Sequence, residues 1–159
     1  MVRNRGARAA IVAGVCAVVA VGLTVSAGCV RVPIDREVGS PTSTDSAVES
    51  GAATRADVKI SMGAGELFVG SGAASGDLME ADFDFQPASW EPEVSYEVRG
   101  ERGVLEIKQP SVSGFPRFDG VTNRWDLALS EELPIDLEVN LGAGTGELLL
   151  GGLDLRDLR

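Results

Sequence analysis

The stretch "LGAGTGELLL" (141–150) nearly repeats an earlier one, "MGAGELFVG" (62–70). In each, alternating apolar residues lead into Gly-Ala-Gly, and a glutamate and more apolar residues follow. Such a stretch is either a glycine loop that holds a phosphate or a corner at which a strand turns, and the choice decides the fold. A phosphate loop needs a Lys-Ser/Thr after the glycines and a helix whose N-terminus faces the anion. Neither copy has the lysine, and Glu66 and Glu147 would repel a phosphate. The next residues, "LFV" and "LLL", suit a strand, so a dinucleotide fingerprint fails as well. The corner reading fits: an alternating strand arrives, glycines take backbone angles other residues resist, and the strand leaves in a new direction. Gly63, Gly65, Gly142 and Gly144 are therefore expected as structural turns, with Ala64 and Ala143 small because backbone passes close by.

Working outward, the residues before the second copy alternate cleanly. In "IDLEVNL", Ile135, Leu137, Val139 and Leu141 point one way and Asp136, Glu138 and Asn140 the other. The same period of two runs through Val58, Ile60 and Met62, and through Met79, Ala81, Phe83 and Phe85. It recurs at Val94, Tyr96 and Val98, at Leu105 and Ile107, and at Trp125, Leu127 and Leu129. Period two with one polar face means half-buried strands. Turn-rich segments separate them: "GSGAASG" (70–76), "QPASWEP" (86–92), "RGERG" (99–103), "QPSVSGFPRFDG" (109–120) and "EELP" (131–134). No helical stripe appears after residue 29, so the domain is expected to be all-β. In the tail, "GELLLGGLDLRDLR", Leu148, Leu150, Leu153, Leu155 and Leu158 recur around a Gly-Gly break, as in the opening rungs of a stacked β-coil.

The segments "MGAGELFV", "LMEADFDF", "PEVSYEVRGERGVLEIKQ" and "NRWDLALSEELPIDLEVNLGAGTGELLLGGLDLRDL" resemble the toast-rack family of bacterial envelope proteins, with "NRWDL…LPIDLEVNLGAG" as the most specific block. The resemblance covers 57–159. It implies an antiparallel β-sandwich-like part leading into the first rungs of a β-solenoid, and kinship with cell-wall-active-antibiotic response domains. It implies no enzymatic activity. It also implies further rungs, so the domain is expected as a version truncated at its C-terminus or one whose last strand leaves an open β edge. An open edge invites strand pairing with another molecule.

The N-terminal 29 residues have another character. "MVRNRGAR" carries Arg3, Arg5 and Arg8, and "AAIVAGVCAVVAVGLTVSA" (9–27) has no charge. A basic start and an apolar stretch form an export signal. "SAGC" (26–29) resembles a bacterial lipobox, although Ser26 stands where an aliphatic residue is usual. Residues 1–28 are thus expected as a signal peptide and Cys29 as the lipidation site, anchoring the chain to the membrane on the extracytoplasmic face. The rival is an uncleaved transmembrane helix, since about 20 apolar residues can cross a bilayer. Residues 30–56 are rich in Ser, Thr, Pro and Gly and lack a period. With Cys29 they are expected as a lipidated, flexible linker (29–56) that holds the domain roughly 30 Å from the surface.

Composition narrows the function. The formal net charge is −10, with 24 acidic against 14 basic residues and only Lys59 and Lys108 as lysines. Cleavage before Cys29 would leave 11 basic against 24 acidic residues, or −13. Nucleic-acid binding is set aside on this charge. There is no histidine, which removes Ser-His-Asp and Cys-His nucleophiles and most zinc sites. No catalytic residue, metal ligand or cofactor site is assigned. Asp82 and Asp84, two apart, are expected on a solvated strand face, and Asp154 and Asp157 likewise. Glu131 and Glu132 belong to an exposed turn. Arg124 and Asp126 share an outward face and can pair. Trp90, in a loop, either contacts a sugar or partner or caps the core. The expected function is a membrane-anchored binding or scaffolding module of the envelope, linked through the resemblance to envelope stress. Its contacts would be an envelope protein or self-association through the C-terminal β edge. The alternative is a cell-wall polysaccharide-binding or hydrolysing protein.

Overall fold

The computed structural model describes residues 40–111 and 121–159, all within one compact unit, Arg36–Arg159. Cys29, the signal segment and the first part of the expected linker lie outside the described residues. Eight strands and one 3₁₀ turn follow in chain order: β1 (Thr42–Glu49), β2 (Arg55–Ser71), β3 (Asp77–Gln86), the 3₁₀ turn Ala88–Trp90, β4 (Glu93–Arg99), β5 (Arg102–Lys108), β6 (Thr122–Leu129), β7 (Ile135–Leu149) and β8 (Leu155–Leu158). The domain is all-β, as the alternation predicts.

The strands form one continuous sheet bent into two wings, and the Gly-Ala-Gly segments lie at the bend. The first half of β2, Arg55–Ser61, pairs in parallel with β5, and β4 runs antiparallel on β5. The second half, Glu66–Ser71, pairs in parallel with β6, beyond which β3 and then β1 follow antiparallel. On its other edge β2 pairs with β7 along its whole length, from Ala56↔Ile135 to Gly70↔Leu149. The register is constant, so each residue of β7 sits beside the one 79 positions earlier. The sequence repeat is therefore a spatial stack: β7 is a second rung laid on β2. β8 begins a third rung on Ile135–Leu137. The sandwich-like part is mixed, because β2 enters parallel to both β5 and β6.

The inward residues of the two wings share one core. Val58, Ile60, Met62, Phe83, Phe85, Leu105, Ile107, Trp125, Leu129, Ile135 and Leu137 are all buried. Full burial of one such aliphatic side chain contributes about 1.5–3 kcal/mol. Phe83 and Trp125, directly opposed on β3 and β6, meet edge to face with ring centroids 5.6 Å apart. Val98 departs from the expected inward set: near the end of β4 it is 38% exposed. Coverage also thins along β7, where Val139 and Leu141 are half-buried and Leu148 and Leu149 are exposed.

Two expectations require correction. Residues 42–49, placed in the flexible linker, form β1, paired with β3 from Thr42↔Phe85 to Val48↔Met79. The ordering comes from the partner strand. β3 offers a free edge, and β1 supplies alternating half-buried Thr44, Ser46 and Val48 without a fully buried residue. Ala56, the last residue of that segment, is buried in β2. Trp90, expected either to contact a sugar or partner or to cap the core, is 2% exposed and belongs to the core, so the contact reading falls. The 3₁₀ turn after β3 folds the indole inward, so no ring face is left to stack on a ligand.

Candidate interaction surface

The first corner answers whether the glycines cradle an anion. Where β2 passes from β5 to β6, its backbone loses one neighbour before gaining the next. The amides of Gly63 and Ala64 converge there on one acceptor, the side-chain oxygen Oε1 of Gln109, at 2.9 and 3.2 Å. Asn123, only 7% exposed, donates through Nδ2 to the Ala64 carbonyl and to Gln109 Oε1 (3.1 Å). Its Oδ1 accepts from Trp125 Nε1 at 2.9 Å. The corner is thus closed by protein side chains, which meets the requirement that buried backbone groups find partners. β2 and β7 both continue as strand through the glycines, and no helix follows.

The glycines are needed for close approach. Gly65 and Gly144 have φ of 147° and 127°, a region L side chains rarely adopt. A Cβ on Gly65 would overlap the Asn123 carbonyl oxygen, one on Gly144 that of Gly65, and one on Gly142 that of Gly63. Gly63 differs: its Cβ would meet only the Gln109 side chain, at 3.4 Å. Three of the four glycines therefore carry the stacking of strand on strand. The sequence does not single out Gln109 or Asn123: Gln109 opens the turn-rich segment 109–120, and Asn123 precedes the alternating run at Trp125, Leu127 and Leu129.

The outward face of the second wing carries an acidic row. Strand register places Asp45, Asp82 and Asp126 side by side on β1, β3 and β6, followed by Phe68 on β2 and Glu147 on β7. Neighbouring strands lie about 4.8 Å apart, so these carboxylates repel one another. The Asp82 carboxyl is raised above its ordinary range, first by a hydrogen bond with Asp45, then by desolvation and by the charges of Asp45, Asp126 and Asp84. Arg124, one row away, offsets part of this charge. Its Nε lies 2.8 Å from Asp126, and its guanidinium stands 4.4 Å over the Phe68 ring. The expected Arg124–Asp126 pair is present and exposed, worth under about 1 kcal/mol. An open groove of about 750 Å³ runs beside the row, floored by Ala47, Ala128 and Gly70 and flanked by Phe68 and Leu149.

Four other acids are held by contacts within the domain. Glu132 accepts from Ser75 Oγ at 2.7 Å and from the Gly76 amide at 3.2 Å, which ties two loops together and holds its carboxyl below the ordinary range. Asp154 and Asp157 face Arg156 and Arg159 at the end of the chain. Asp84 accepts from Ser43 of β1. Among the described residues no group of three or more His, Cys, Asp or Glu is placed to hold a metal ion.

The third feature is an edge. β8 covers β7 only over Ile135–Leu137, and Arg159 extends the pairing by one bond to Val139. Among the described residues, nothing pairs with the outer edge of β7 from Asn140 to Leu149. Leu148 and Leu149 there are 40% and 65% exposed.

Residues 37–159 match the family described as the N-terminal domain of toast_rack, DUF2154. The chain belongs to the toast-rack N-terminal domain family. The match starts before β1, in agreement with the ordered strand found there. No curated protein matches the chain. Among solved structures, a protein from Clostridium sporogenes ATCC 15579 that carries the name of a cell adhesion protein is similar, with 30% identity and a TM-score of 0.68. The similarity covers 75% of this chain and 56% of that one, so the toast-rack chain spans about half the length of this relative.

Proposed function

We propose that this toast-rack domain is a binding module on the extracytoplasmic side of a bacterial membrane, held by lipid on Cys29 and acting by contact rather than by catalysis. The observation that carries this reading is the outward face of the second wing, where Asp45, Asp82 and Asp126 align beside an open groove of about 750 Å³. The export segment and "SAGC" pattern support the location, and the adhesion name of the structural relative supports a role in contact. A part in envelope stress would follow if the captured partner is a stress sensor.

Photo-crosslinkers placed in living cells at Glu147, Asp82 and Ser95 would sample the β7 edge, the acidic row and β4. Capture of a defined envelope protein from at least one position is expected. Capture of none from any position would overturn the reading. Fatty-acid labelling that persists in Cys29→Ser would overturn the anchor.

The second reading is a wall-polymer binder or hydrolase. Asp82, whose carboxyl is raised above its ordinary range by its neighbour Asp45, favours it, since unequal carboxylates serve acid–base chemistry. The burial of Trp90 weighs against it by removing the sugar-stacking face. Turnover of peptidoglycan fragments that vanished in Asp82→Asn would establish hydrolysis instead.

A further inference from the structure

β1 is a weakly seated strand, and its register shows why. It lays Thr42, Thr44, Ser46 and Val48 beside Phe85, Phe83, Ala81 and Met79 of β3. Of those β1 residues only Val48 is apolar and packed against the core. The outward row sets acid against acid: Asp45 stands opposite Asp82, and Glu49 opposite Asp77. Like charges directly opposed weaken a strand pair. The first wing has the contrary arrangement, where Arg102–Asp57, Lys59–Glu138 and Lys108–Glu93 bridge strands at 2.9, 3.4 and 3.0 Å. The chain just beyond β1 is firmly held. The Ser50 amide and hydroxyl donate to the Gly76 carbonyl at 2.9 and 2.8 Å, and the Ser50 carbonyl accepts from the Tyr96 hydroxyl at 2.7 Å. Gly51 follows with a φ of 60°. A loosely seated strand thus leads into a fixed point.

We propose that residues 42–49 form a strap that hinges at Ser50–Gly51, seated on β3 by a proton shared between Asp45 and Asp82 and loosened when both carboxylates are charged. The groups facing Asp82 are Asp45 from β1, Asp126 and Arg124 from β6, and Glu80 and Asp84 along β3 itself. Arg124 is the one base in these rows, and it is drawn to Asp126 at 2.8 Å and to Glu66 at 3.9 Å. The Asp45–Asp82 opposition is left uncompensated. The raised Asp82 carboxyl, with the Asp45 hydrogen bond as its first cause, agrees with this geometry. The sign follows from linkage. The seated strap holds the proton more firmly than the open one, so the proton's contribution to seating is full below the open-state pKa. It is lost as pH rises through the seated-state pKa, in a window from the ordinary carboxylate range upward. Resting on the reading of Cys29 as the anchor, an open strap adds residues 42–49 to the chain between membrane and domain and bares the β3 edge. Acidification draws the domain in and covers that edge.

The test is amide exchange on the full chain at pH 7 and pH 4, each rate corrected for the intrinsic rate at that pH. The β1 amides bonded to β3 are compared with those of β5, in the other wing. Protection of β1 relative to β5 is expected to rise about two- to fivefold at pH 4. Asp45→Asn should produce that rise already at pH 7 and flatten the pH dependence. Glu101→Gln removes one charge from the exposed turn between β4 and β5 and should leave β1 unchanged. The proposal is overturned if the ratio of β1 to β5 protection is the same at both pH values. It is equally overturned if Asp45→Asn keeps the parent's ratio at pH 7, or if Glu101→Gln raises it as much as Asp45→Asn does. Exchange does not depend on lipid or partner. A failed strap therefore leaves the anchored binding module standing, and failed crosslinking or labelling leaves the strap.

Discussion

The carbonyl oxygen of Gly65 occupies the place where Gly144 would carry a Cβ. The two rungs can stack in constant register only because Gly144 has no side chain. Gly144→Ala is therefore expected to destabilise the domain by about 1–3 kcal/mol from its backbone angle alone, with steric overlap adding to it. Gly151→Ala, with open space around it and no positive φ, should stay within about 0.5 kcal/mol of the parent. Urea denaturation followed by tryptophan fluorescence measures both. Equal stability of the two variants would contradict the stacking account.

Gln109 closes the corner, and Asn123 holds Gln109. Gln109→Ala removes the shared acceptor of the exposed Gly63 amide and the half-buried Ala64 amide, at a cost of about 0.5–1.5 kcal/mol. Asn123→Ala additionally strands the indole N–H of the buried Trp125 and should cost more. Because Asn123 donates to Gln109 Oε1, the two substitutions should be non-additive by about 0.5–3 kcal/mol. A double-mutant cycle with additive effects would show that the network does not act as a unit.

The acidic row makes a prediction about pH. The folded-state pKa of Asp82 is raised, so the folded protein holds that proton more firmly than the unfolded chain. Stability from this site is full below the unfolded pKa and is lost as pH rises through the folded one. Asp82→Asn should consequently stabilise the protein at pH 7 and leave it nearly unchanged at pH 3. Because Asp82 is close to solvent, the gain should shrink as salt is added. Thermal unfolding at both pH values and two salt concentrations decides it. Glu132, whose carboxyl is lowered, works in the opposite sense: its contribution is present at neutral pH and fades on acidification.

β1 should behave as structure. Alternate amides between Ser43 and Val48 bond to β3, and only those should be slow in hydrogen exchange. Val48→Asp places a charge beside Met79, which is fully buried, and should cost about 1–3 kcal/mol. Rapid exchange at every amide of 43–48 would restore the flexible linker.

What the sequence made legible follows from how each element is stabilised. β2, β3, β5, β6 and β7 each bury an alternating face, and that alternation is visible in one dimension. The corner was legible because Gly-Ala-Gly lacks what a phosphate loop requires, and the 79-residue repeat proved to be the strand register itself. β1 was illegible because "TSTDSAVE" buries nothing completely and owes its order to the distant edge of β3, from Glu49↔Asp77 to Thr42↔Phe85. The acidic row was illegible for a related reason. Asp82 and Asp126 could be placed outward, but their alignment with Asp45 and Glu147 depends on strand order, which alternation does not encode.

Trp90 separates a contact residue from a core residue in one experiment. It is 2% exposed, at the close of the 3₁₀ turn, and Trp125 is fully buried, so both indoles are shielded from solvent. Iodide should quench the native protein's tryptophan fluorescence far less than that of the urea-unfolded chain. Added wall oligosaccharides should leave the emission unchanged. Trp90→Ala removes a large buried ring and is expected to cost about 3–5 kcal/mol. Trp90→Phe, which keeps most of the apolar volume, should cost much less. A contact residue would give the reverse pattern: easy quenching, a sugar-dependent shift and an alanine variant as stable as the parent.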